Sequence, residues 1–178
     1  MTIRTNKIMD KYLSKIGYNF WETSLSLPVG LEKIVQSEFI TDNDCIILKS
    51  VAQIETNPKF DTNLEKCEFE DFENHFHPDS YIETNNEIDY LKLALECGKR
   101  LAKRIDSELK TDNFRVGISF SETTVENGEI EFYGSSTVRF YKVREDCEEI
   151  MRTSNLDDFE SEAVLEIEKL QKTENEKQ

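Results

Sequence analysis

Apolar residues recur at helical spacing in three stretches of the chain. Over residues 6–16 they fall on one stripe, and Gly17 follows, a residue type that commonly stands just past a helix end. Residues 28–39 repeat this spacing behind Pro28, which suits the first turn of a helix. The longest stripe runs over residues 86–109, and basic residues fall in its second half. We predict a helix over each stretch.

Two other apolar patterns predict strands. Residues 45–55 begin as a continuous apolar run and then alternate. Residues 114–120 alternate strictly, which is the period-two pattern of a half-buried strand. The Asn127-Gly128 dipeptide tolerates positive φ and predicts a hairpin with a returning strand after it. Residues 137–143 supply a further strand.

Three segments fit more than one structure. Residues 18–27 are rich in aromatic residues and leucine, and they fit either a short strand or a packed loop. The phenylalanines of residues 69–76 are three and four positions apart, which predicts a helix that Pro78 would end, yet an irregular loop fits the same residues. Residues 134–136 fit either a bulge within one long strand or a second turn.

The C-terminal part of the chain again shows helical spacing. Residues 154–157 resemble a capping box with Asp in place of Glu, and a stripe of apolar residues follows them. We therefore predict a C-terminal helix over residues 154–170. Residues 171–178 hold no apolar residue that would anchor them, which favours a frayed tail.

The order of these elements predicts an α+β fold. Strands cluster between residues 114 and 143 and helices flank them, which is typical of segregated rather than alternating elements. We expect an antiparallel sheet of four to five strands with helices packed mainly on one face, the 86–109 helix being the main one. The length fits a single domain over residues 1–170, with a helical N-terminal part (1–42), a part with the strands and the main helix (45–143) and the C-terminal helix (154–170).

Composition and charge exclude several classes of protein. Of 178 residues, 37 are acidic and 22 are basic, and the formal charge of −15 argues against direct binding to a nucleic-acid backbone. Eleven Phe and six Tyr are too many for a disordered acidic chain. No stretch approaches the ~20 apolar residues that span a bilayer, and no apolar signal segment opens the chain. Four isolated cysteines predict reduced thiols in a cytoplasmic protein.

The negative charge is concentrated in two segments that also hold apolar residues. Residues 61–89 contain ten acids and one base, and residues 144–168 contain ten acids and two bases. These segments fit either the solvated faces of amphipathic elements or an acidic docking surface for a basic partner protein, whose association opposite charge would speed. The acids that we assign to this docking surface are Glu68, Glu70, Asp71, Glu73, Asp79, Glu145, Asp146, Glu148 and Glu149.

Motifs for catalysis and metal binding are weak. His75 and His77 are the only histidines, and their His-x-His-x-Asp spacing resembles the start of the metallo-β-lactamase signature, but Ser80 stands where that signature needs a histidine. A zinc site with a nearby carboxylate or thiolate remains an alternative to exposed histidines in an acidic loop. The chain has no glycine-rich phosphate loop and no GxSxG elbow. We assign no catalytic residue, no metal ligand and no cofactor.

Basic residues on the predicted strands offer one more arrangement. Arg115, Arg139 and Lys142 lie on these strands, with Tyr133 and Tyr141 near them by alternation, and the sequence leaves open whether Arg115 and Arg139 share a sheet face. These arginines would either bind an anion or pair with the acidic segments. We expect internal pairing, because charges on a sheet face usually find cross-strand partners.

These observations favour a non-enzymatic binding protein. We predict a small acidic cytoplasmic protein that binds a basic partner through an acidic surface, as an inhibitor such as an immunity protein or an antitoxin does. The alternative is an enzyme or small-ligand-binding domain with a carboxylate/His or an Arg/Tyr site. A third interpretation is an assembly subunit that forms a homo-oligomer through the apolar stripe of a terminal helix. We expect no contact with a membrane.

Overall fold

The helices and strands are described for residues 1–51, 59–109, 113–144 and 154–169 in a computed structural model of the chain. Within these ranges, the helices are α1 (Lys7–Ile16), α2 (Val29–Val35), α3 (Asn63–Glu73) and α4 (Ile88–Glu108). The strands are β1 (Thr2–Thr5), β2 (Phe39–Asp42), β3 (Cys45–Leu48), β4 (Phe114–Ser121), β5 (Thr124–Glu126), β6 (Glu129–Phe132), β7 (Ser135–Lys142) and β8 (Ala163–Lys169). Short 3-10 turns cover Pro78–Tyr81 and Leu156–Asp158.

The main sheet has four antiparallel strands in the order β1-β8-β4-β7. β8 therefore lies between β1 and β4, so that Ile167 is paired with Ile3 on one side and with Val116 on the other. β2 with β3, and β5 with β6, form two separate hairpins. The predicted α+β fold, with an antiparallel sheet and helices packed mainly on one face, is confirmed.

The hydrophobic core lies between α4 and one face of this sheet. Phe114, Val116, Ile118 and Phe120 alternate along β4 and are all buried, as their spacing predicts. A Cβ atom built on Gly98 of α4 would lie 2.5 Å from the Ile118 Cδ1 atom, so only glycine permits the helix to approach the strand this closely. Burial of these apolar side chains is the main favourable contribution to folding.

The predicted helix over residues 154–170 is wrong, because the segment holds a short 3-10 turn at Leu156–Asp158 followed by strand β8. Leu165 and Ile167 belong to the core, whereas Glu166 lies on the opposite face of the sheet. The segment therefore alternates, but two glutamates among its buried residues give it the composition of a surface helix. Carboxylates are rarely buried unless they are paired, and the sequence does not show the pairing. Residues 171–178, predicted to be frayed, lie outside the described residues.

In the N-terminal part, the differences concern where elements end. α1 matches its predicted helix, but α2 ends before Phe39, which belongs to β2. β2 and β3 are joined through Asn43 and Asp44, both at positive φ (48° and 66°). Of the strand predicted over residues 45–55, Cys45–Leu48 form β3 and residues 49–51 form a turn, whereas residues 52–58 lie outside the described part of the chain.

The structure decides between the alternatives that the sequence left open for residues 18–27, 69–76 and 134–136. Residues 18–27 form a loop that contains a turn, not a strand. Phe69 and Phe72 belong to α3, as the helical alternative predicts, but α3 ends at Glu73 and Phe76 forms a β-bridge with Val138 instead of continuing the helix to Pro78. Gly134 separates β6 from β7, which are in different sheets and are not one long strand.

A buried glutamate of α3 connects the β2–β3 hairpin to the outer edge of β7. The Glu70 carboxylate accepts hydrogen bonds from the backbone N–H groups of Ile46 at 2.6 Å and of Lys142 at 2.9 Å. Arg144 donates to both of its oxygen atoms, at 2.6 and 3.0 Å. Glu70 has no exposed surface, and its burial raises the pKa of the carboxyl group, although Arg144 and the two N–H groups act in the opposite direction.

Asn74, the residue that ends α3, repeats this connection one turn later. It accepts a hydrogen bond from the Leu48 N–H at 2.7 Å and donates to the carbonyl oxygens of Ile46 at 2.8 Å and Phe140 at 3.2 Å. Its side chain therefore bonds to the backbones of β3 and β7 at once. The side chains of Glu70 and Asn74 thus take the place of a β-ladder between β3 and β7. Without them, the backbone N–H and C=O groups at the facing edges of these strands would be buried without hydrogen-bond partners.

Basic side chains in the second half of α4 bind backbone carbonyl groups between residues 23 and 37 and so hold the N-terminal part of the chain against this helix. Glu96 lies between Lys99 and Arg100, with 2.6 Å between the charged atoms in each pair. Burial opposes the ionisation of Glu96, but hydrogen bonds and attraction from these two cations prevail and hold its pKa below the usual value. The carbonyl oxygens that accept hydrogen bonds from α4 are those of Thr23 (from Lys99), Leu25 (from Arg100) and Val35 and Ser37 (from Arg104).

We predict that Asn74→Ala lowers the free energy of unfolding by about 3 kcal/mol, because it leaves buried backbone groups of β3 and β7 without partners. Urea denaturation followed by circular dichroism measures this loss. Glu68→Ala, an exposed substitution on the same helix, is the control and should change the unfolding free energy by less than about 0.5 kcal/mol. Equal effects of the two substitutions would contradict the bridging role of Asn74.

We also predict a pH-dependent contribution from Glu96. Because its pKa is lower in the folded chain than the usual unfolded value of about 4.3, its ion pairs stabilise the fold above that pH. The contribution is lost as the pH falls through the folded pKa. Urea midpoints measured between about pH 7 and pH 3 should therefore show a gap between wild type and Glu96→Gln that narrows below about pH 4. A difference in urea midpoint between wild type and Glu96→Gln that stays constant over this pH range would refute the prediction.

Candidate functional site

The acids assigned to a docking surface do not all lie at the surface. Glu68 is exposed on α3, and Asp71, Glu73 and Asp79 are half-buried. Glu70 is fully buried beneath them and connects β3 to β7, so it is not available to a partner. The other assigned acids lie outside the described residues, and these are Glu145, Asp146, Glu148 and Glu149.

Two adjoining grooves lie beside the C-terminal end of α3, and we call them together the histidine groove. Phe72, His75 and His77 line both of them. Their volumes of about 400 and 320 Å³ fall in the range of binding sites for small molecules or for single side chains of a partner. The first groove is also lined by Glu68, Asp71, Thr137 and Arg139, and the second by Glu73, Ser80 and Tyr81.

Aromatic side chains stand exposed in this groove. Phe72 is 64% exposed and Tyr81 is 42% exposed. The ring centres of Phe72 and His75 are 5.4 Å apart, and those of His75 and His77 are 5.6 Å apart. The Nδ1–H of His75 donates to the carbonyl oxygen of Phe72, which fixes the orientation of its ring. Large exposed aromatic residues are the usual anchors of protein interfaces.

The histidines and their neighbouring acids do not form a metal cage. In the described ranges, no group of three or more His, Cys, Asp or Glu side chains is placed to hold a metal ion. His77 Nδ1 lies 3.4 Å from the Thr137 hydroxyl oxygen. Asp79 accepts a hydrogen bond from the Ser136 backbone N–H at 2.8 Å and so holds its 3-10 turn against β7.

An ion pair between α3 and β7 closes one side of the histidine groove. Asp71 Oδ2 lies 3.2 Å from Arg139 Nη1. Burial raises the pKa of the Asp71 carboxyl group, and the Arg139 guanidinium acts in the opposite direction. The prediction that Arg139 pairs with an acidic segment is confirmed.

Arg115 lies on the sheet face opposite α4 and is fully buried. Its guanidinium donates to the Glu168 carboxylate and to the Tyr141 hydroxyl group, and its Nε lies 3.3 Å from Glu166 Oε2. Arg4 of β1 pairs with the same Glu168 at 2.8 Å. Arg115 and Arg139 therefore share a face of the sheet, and both are paired with acids of the chain, as we expected.

A small cavity lies on this face of the sheet, beside Gly117, Arg139, Tyr141 and Glu166. Its volume is about 70 Å³. That is room for about two water molecules and far below the roughly 300–1,000 Å³ of small-molecule sites. This cavity is too small for a substrate, although Arg139 also lines the larger histidine groove.

The cysteines differ from one another. Cys45 and Cys97 are free and buried, and burial raises the pKa of their thiols to about 11 and about 12. Cys67 of α3, buried against Tyr141, is disulfide-bonded, so the prediction of a reduced thiol is wrong at this position. Cys147 lies outside the described residues.

Sequence reasoning did not identify Phe72 and Tyr81 as surface residues. Phe69 is three positions from Phe72, yet it is half-buried against Phe60, with 4.9 Å between the ring centres. Helical spacing indicates which residues share a face but not whether another element covers that face. The only signal at Phe72 is that acids stand on both sides of it.

The chain belongs to the Uncharacterized protein PM0498 family, whose model matches residues 4–176. The match covers nearly the whole chain and includes the histidine groove. No curated protein and no solved structure matches the chain. The family description states no activity.

We predict that fewer than four thiols of the denatured, unreduced chain react, because Cys67 is disulfide-bonded whereas Cys45 and Cys97 are free. Labelling with a maleimide reagent followed by intact mass measurement counts them. Treatment with a reductant beforehand is the control and should raise the count to four. Four labels without reductant would contradict the disulfide.

Proposed function

We propose that this member of the PM0498 family is an acidic binding protein, which takes a basic segment of a partner protein into the histidine groove. One observation carries the proposal: the exposed rings of Phe72 and Tyr81 line the same groove as the carboxylates of Glu68 and Glu73. A lysine or arginine side chain offers both an apolar stem and a charged end. Such a side chain can pack on the rings while its charge meets the carboxylates.

The arginines of the described residues form contacts within the fold, and this supports an acidic surface. Each ion pair between an arginine and an acid neutralises one charge of each sign, so the formal excess of −15 is carried by residues outside these pairs. An excess of that size attracts cationic surfaces over about 8 Å at physiological salt and speeds their approach. The described arginines that bond to acids or backbone of this chain are Arg4, Arg100, Arg104, Arg115, Arg139 and Arg144.

The described parts of the two acidic segments meet at one side of the sheet. Arg144, at the start of the second segment, is bound to Glu70 of the first. Asp71 of the first segment borders the same cavity as Glu162 and Glu166 of the second. This contact supports a surface to which both segments contribute, as the docking hypothesis requires.

An inhibitory role is part of the proposal and rests on charge. A protein that acts on nucleic acid needs a basic surface, and an acidic protein that covers this surface blocks it. Among the described helices, none is long and apolar enough to cross a membrane. The cytoplasmic location stays a prediction, and the disulfide at Cys67 argues against it, because thiols in the cytoplasm are usually kept reduced.

We predict that the partner is a basic protein whose association with the chain slows as salt is added, because salt screens the attraction between opposite charges. Cross-linking in the native host identifies the partner, and stopped-flow mixing of the purified proteins gives the association rate. Glu68→Lys should slow association about tenfold by reversing a charge in the groove, and Phe72→Ser should weaken affinity at least about tenfold by removing an aromatic anchor.

Glu22→Lys is the matched control, since Glu22 is also exposed and the net charge changes by the same amount. Its effect should be clearly smaller, because it lies outside the groove. An association rate that does not depend on salt would overturn the proposal. Equal effects of the Glu68 and Glu22 substitutions, or the recovery of no specific partner, would do the same.

A further inference from the structure

The chain has only two histidines, and both of them line the histidine groove. His77 is exposed and His75 is half-buried, with 5.6 Å between the ring centres, so solvent reaches both rings. Histidine is the side chain whose charge ordinarily changes between pH 5 and pH 8. A change of pH within this range therefore acts chiefly on the groove.

The charged side chains that line the groove with the histidines come from α3 and β7. Glu68, Asp71 and Glu73 belong to α3, and Arg139 belongs to β7. Three carboxylates and one guanidinium give the groove a net charge of −2 while the histidines are neutral. One proton on each imidazole brings this charge to zero. The attraction for a basic segment is then lost, because it depends on the excess of negative charge.

The other titratable groups near the histidines act in the same direction or not at all. Burial raises the pKa of the Asp71 carboxyl group, and Arg139 and His75 act in the opposite direction. A proton on Asp71 would also make the groove less negative. On the neighbouring 3-10 turn, Asp79 is bonded to the Ser136 backbone, and Tyr81 has a phenol group, which ordinarily ionises only near pH 10.

Both imidazoles can take up a proton without losing a contact of the fold. The Nδ1–H of His75 donates to the Phe72 carbonyl oxygen, so the added proton goes to Nε2 and this hydrogen bond is kept. His77 Nδ1 lies 3.4 Å from the hydroxyl oxygen of Thr137, a group that either donates or accepts. Protonation therefore changes what the groove attracts and leaves α3 in place.

We propose that the two histidines make the groove a pH-dependent binding site, which holds a basic segment of the partner at neutral pH and releases it as the pH falls towards 5. This regulation rests on the proposed function, because it presupposes that a basic segment occupies the groove. An imidazolium lining a groove of this size lies within the screening length of about 8 Å of a bound cation and repels it. By linkage, protonation and binding weaken each other by the same factor.

The test compares the affinity of the full chain for one synthetic peptide at about pH 7.5 and about pH 5.5, at constant ionic strength. The peptide repeats lysine, arginine and glycine, and it carries a dye whose emission is constant over this range, so that fluorescence anisotropy gives the dissociation constant. Wild type should bind it at least tenfold more weakly at the lower pH. Exposed carboxylates ordinarily titrate near pH 4 and contribute little to this change.

His75→Gln combined with His77→Gln replaces both rings by side chains that stay neutral. Whatever the affinity of this double variant at the higher pH, the ratio of its two dissociation constants should fall below about threefold. Asp71→Asn is the control, since it removes the other titratable group of the groove with a raised pKa. It should keep most of the tenfold ratio.

NMR gives a second measurement that needs no variant. The Cε1–H resonances of the two histidines, followed between about pH 5 and pH 8, give the midpoint of each titration. Saturation with the peptide should lower both midpoints, by about half a pH unit each for a tenfold change in affinity.

Equal affinity at the two pH values, or tighter binding at the lower one, would overturn the regulation and leave the groove as the binding site. A ratio that the double glutamine variant does not reduce would overturn it as well, as would histidine midpoints that the peptide does not move. If Phe72→Ser and Glu68→Lys both leave the affinity at the higher pH unchanged, the peptide does not occupy the groove. That result would refute the proposed function and the regulation together.

Discussion

Two buried side chains of one helix determine how the parts of this molecule fit together. β3 and β7 approach each other with their backbone groups unmatched, and Glu70 and Asn74 supply the hydrogen bonds that a ladder would have made. A carboxylate and an amide in the interior are costly unless all their partners are present. The position of α3 is therefore fixed by backbone chemistry, and the exposed side of that helix, with Glu68 and Phe72, is fixed with it.

The sequence predicts those parts of the fold that depend on local periodicity. α1, α4 and β4 appear where their apolar spacing places them, and the turn at Asn127-Gly128 has the positive φ values (53° and 86°) that its residues favour. β8 could not be predicted this way, because its glutamates are buried only in the presence of Arg115 and Arg4 from other strands. Ion pairs between residues far apart in the chain cannot be recognised from the spacing of residues within a short stretch of sequence.

The candidate site was predictable in part for the same reason. The charge runs located α3 and the region of Asp71 and Glu73, but they did not distinguish the buried Glu70 from the exposed Glu68, two positions away on the same helix. The exposure of Phe72 depends on what the fold leaves uncovered.

The place of β8 has a consequence for how the sheet assembles. β8 pairs with β1, and the contact between Arg4 and Glu168 joins residues 164 positions apart along the chain. The chain loses conformational entropy when a loop of that length closes, and the stabilising contacts form only afterwards. Folds dominated by such contacts therefore assemble slowly. Until β8 enters the sheet, β1 has no neighbour in it and one edge of β4 stays open. A nascent chain that lacks this strand presents the unpaired backbone edge of β4, so ribosome-bound intermediates of this protein are prone to aggregate.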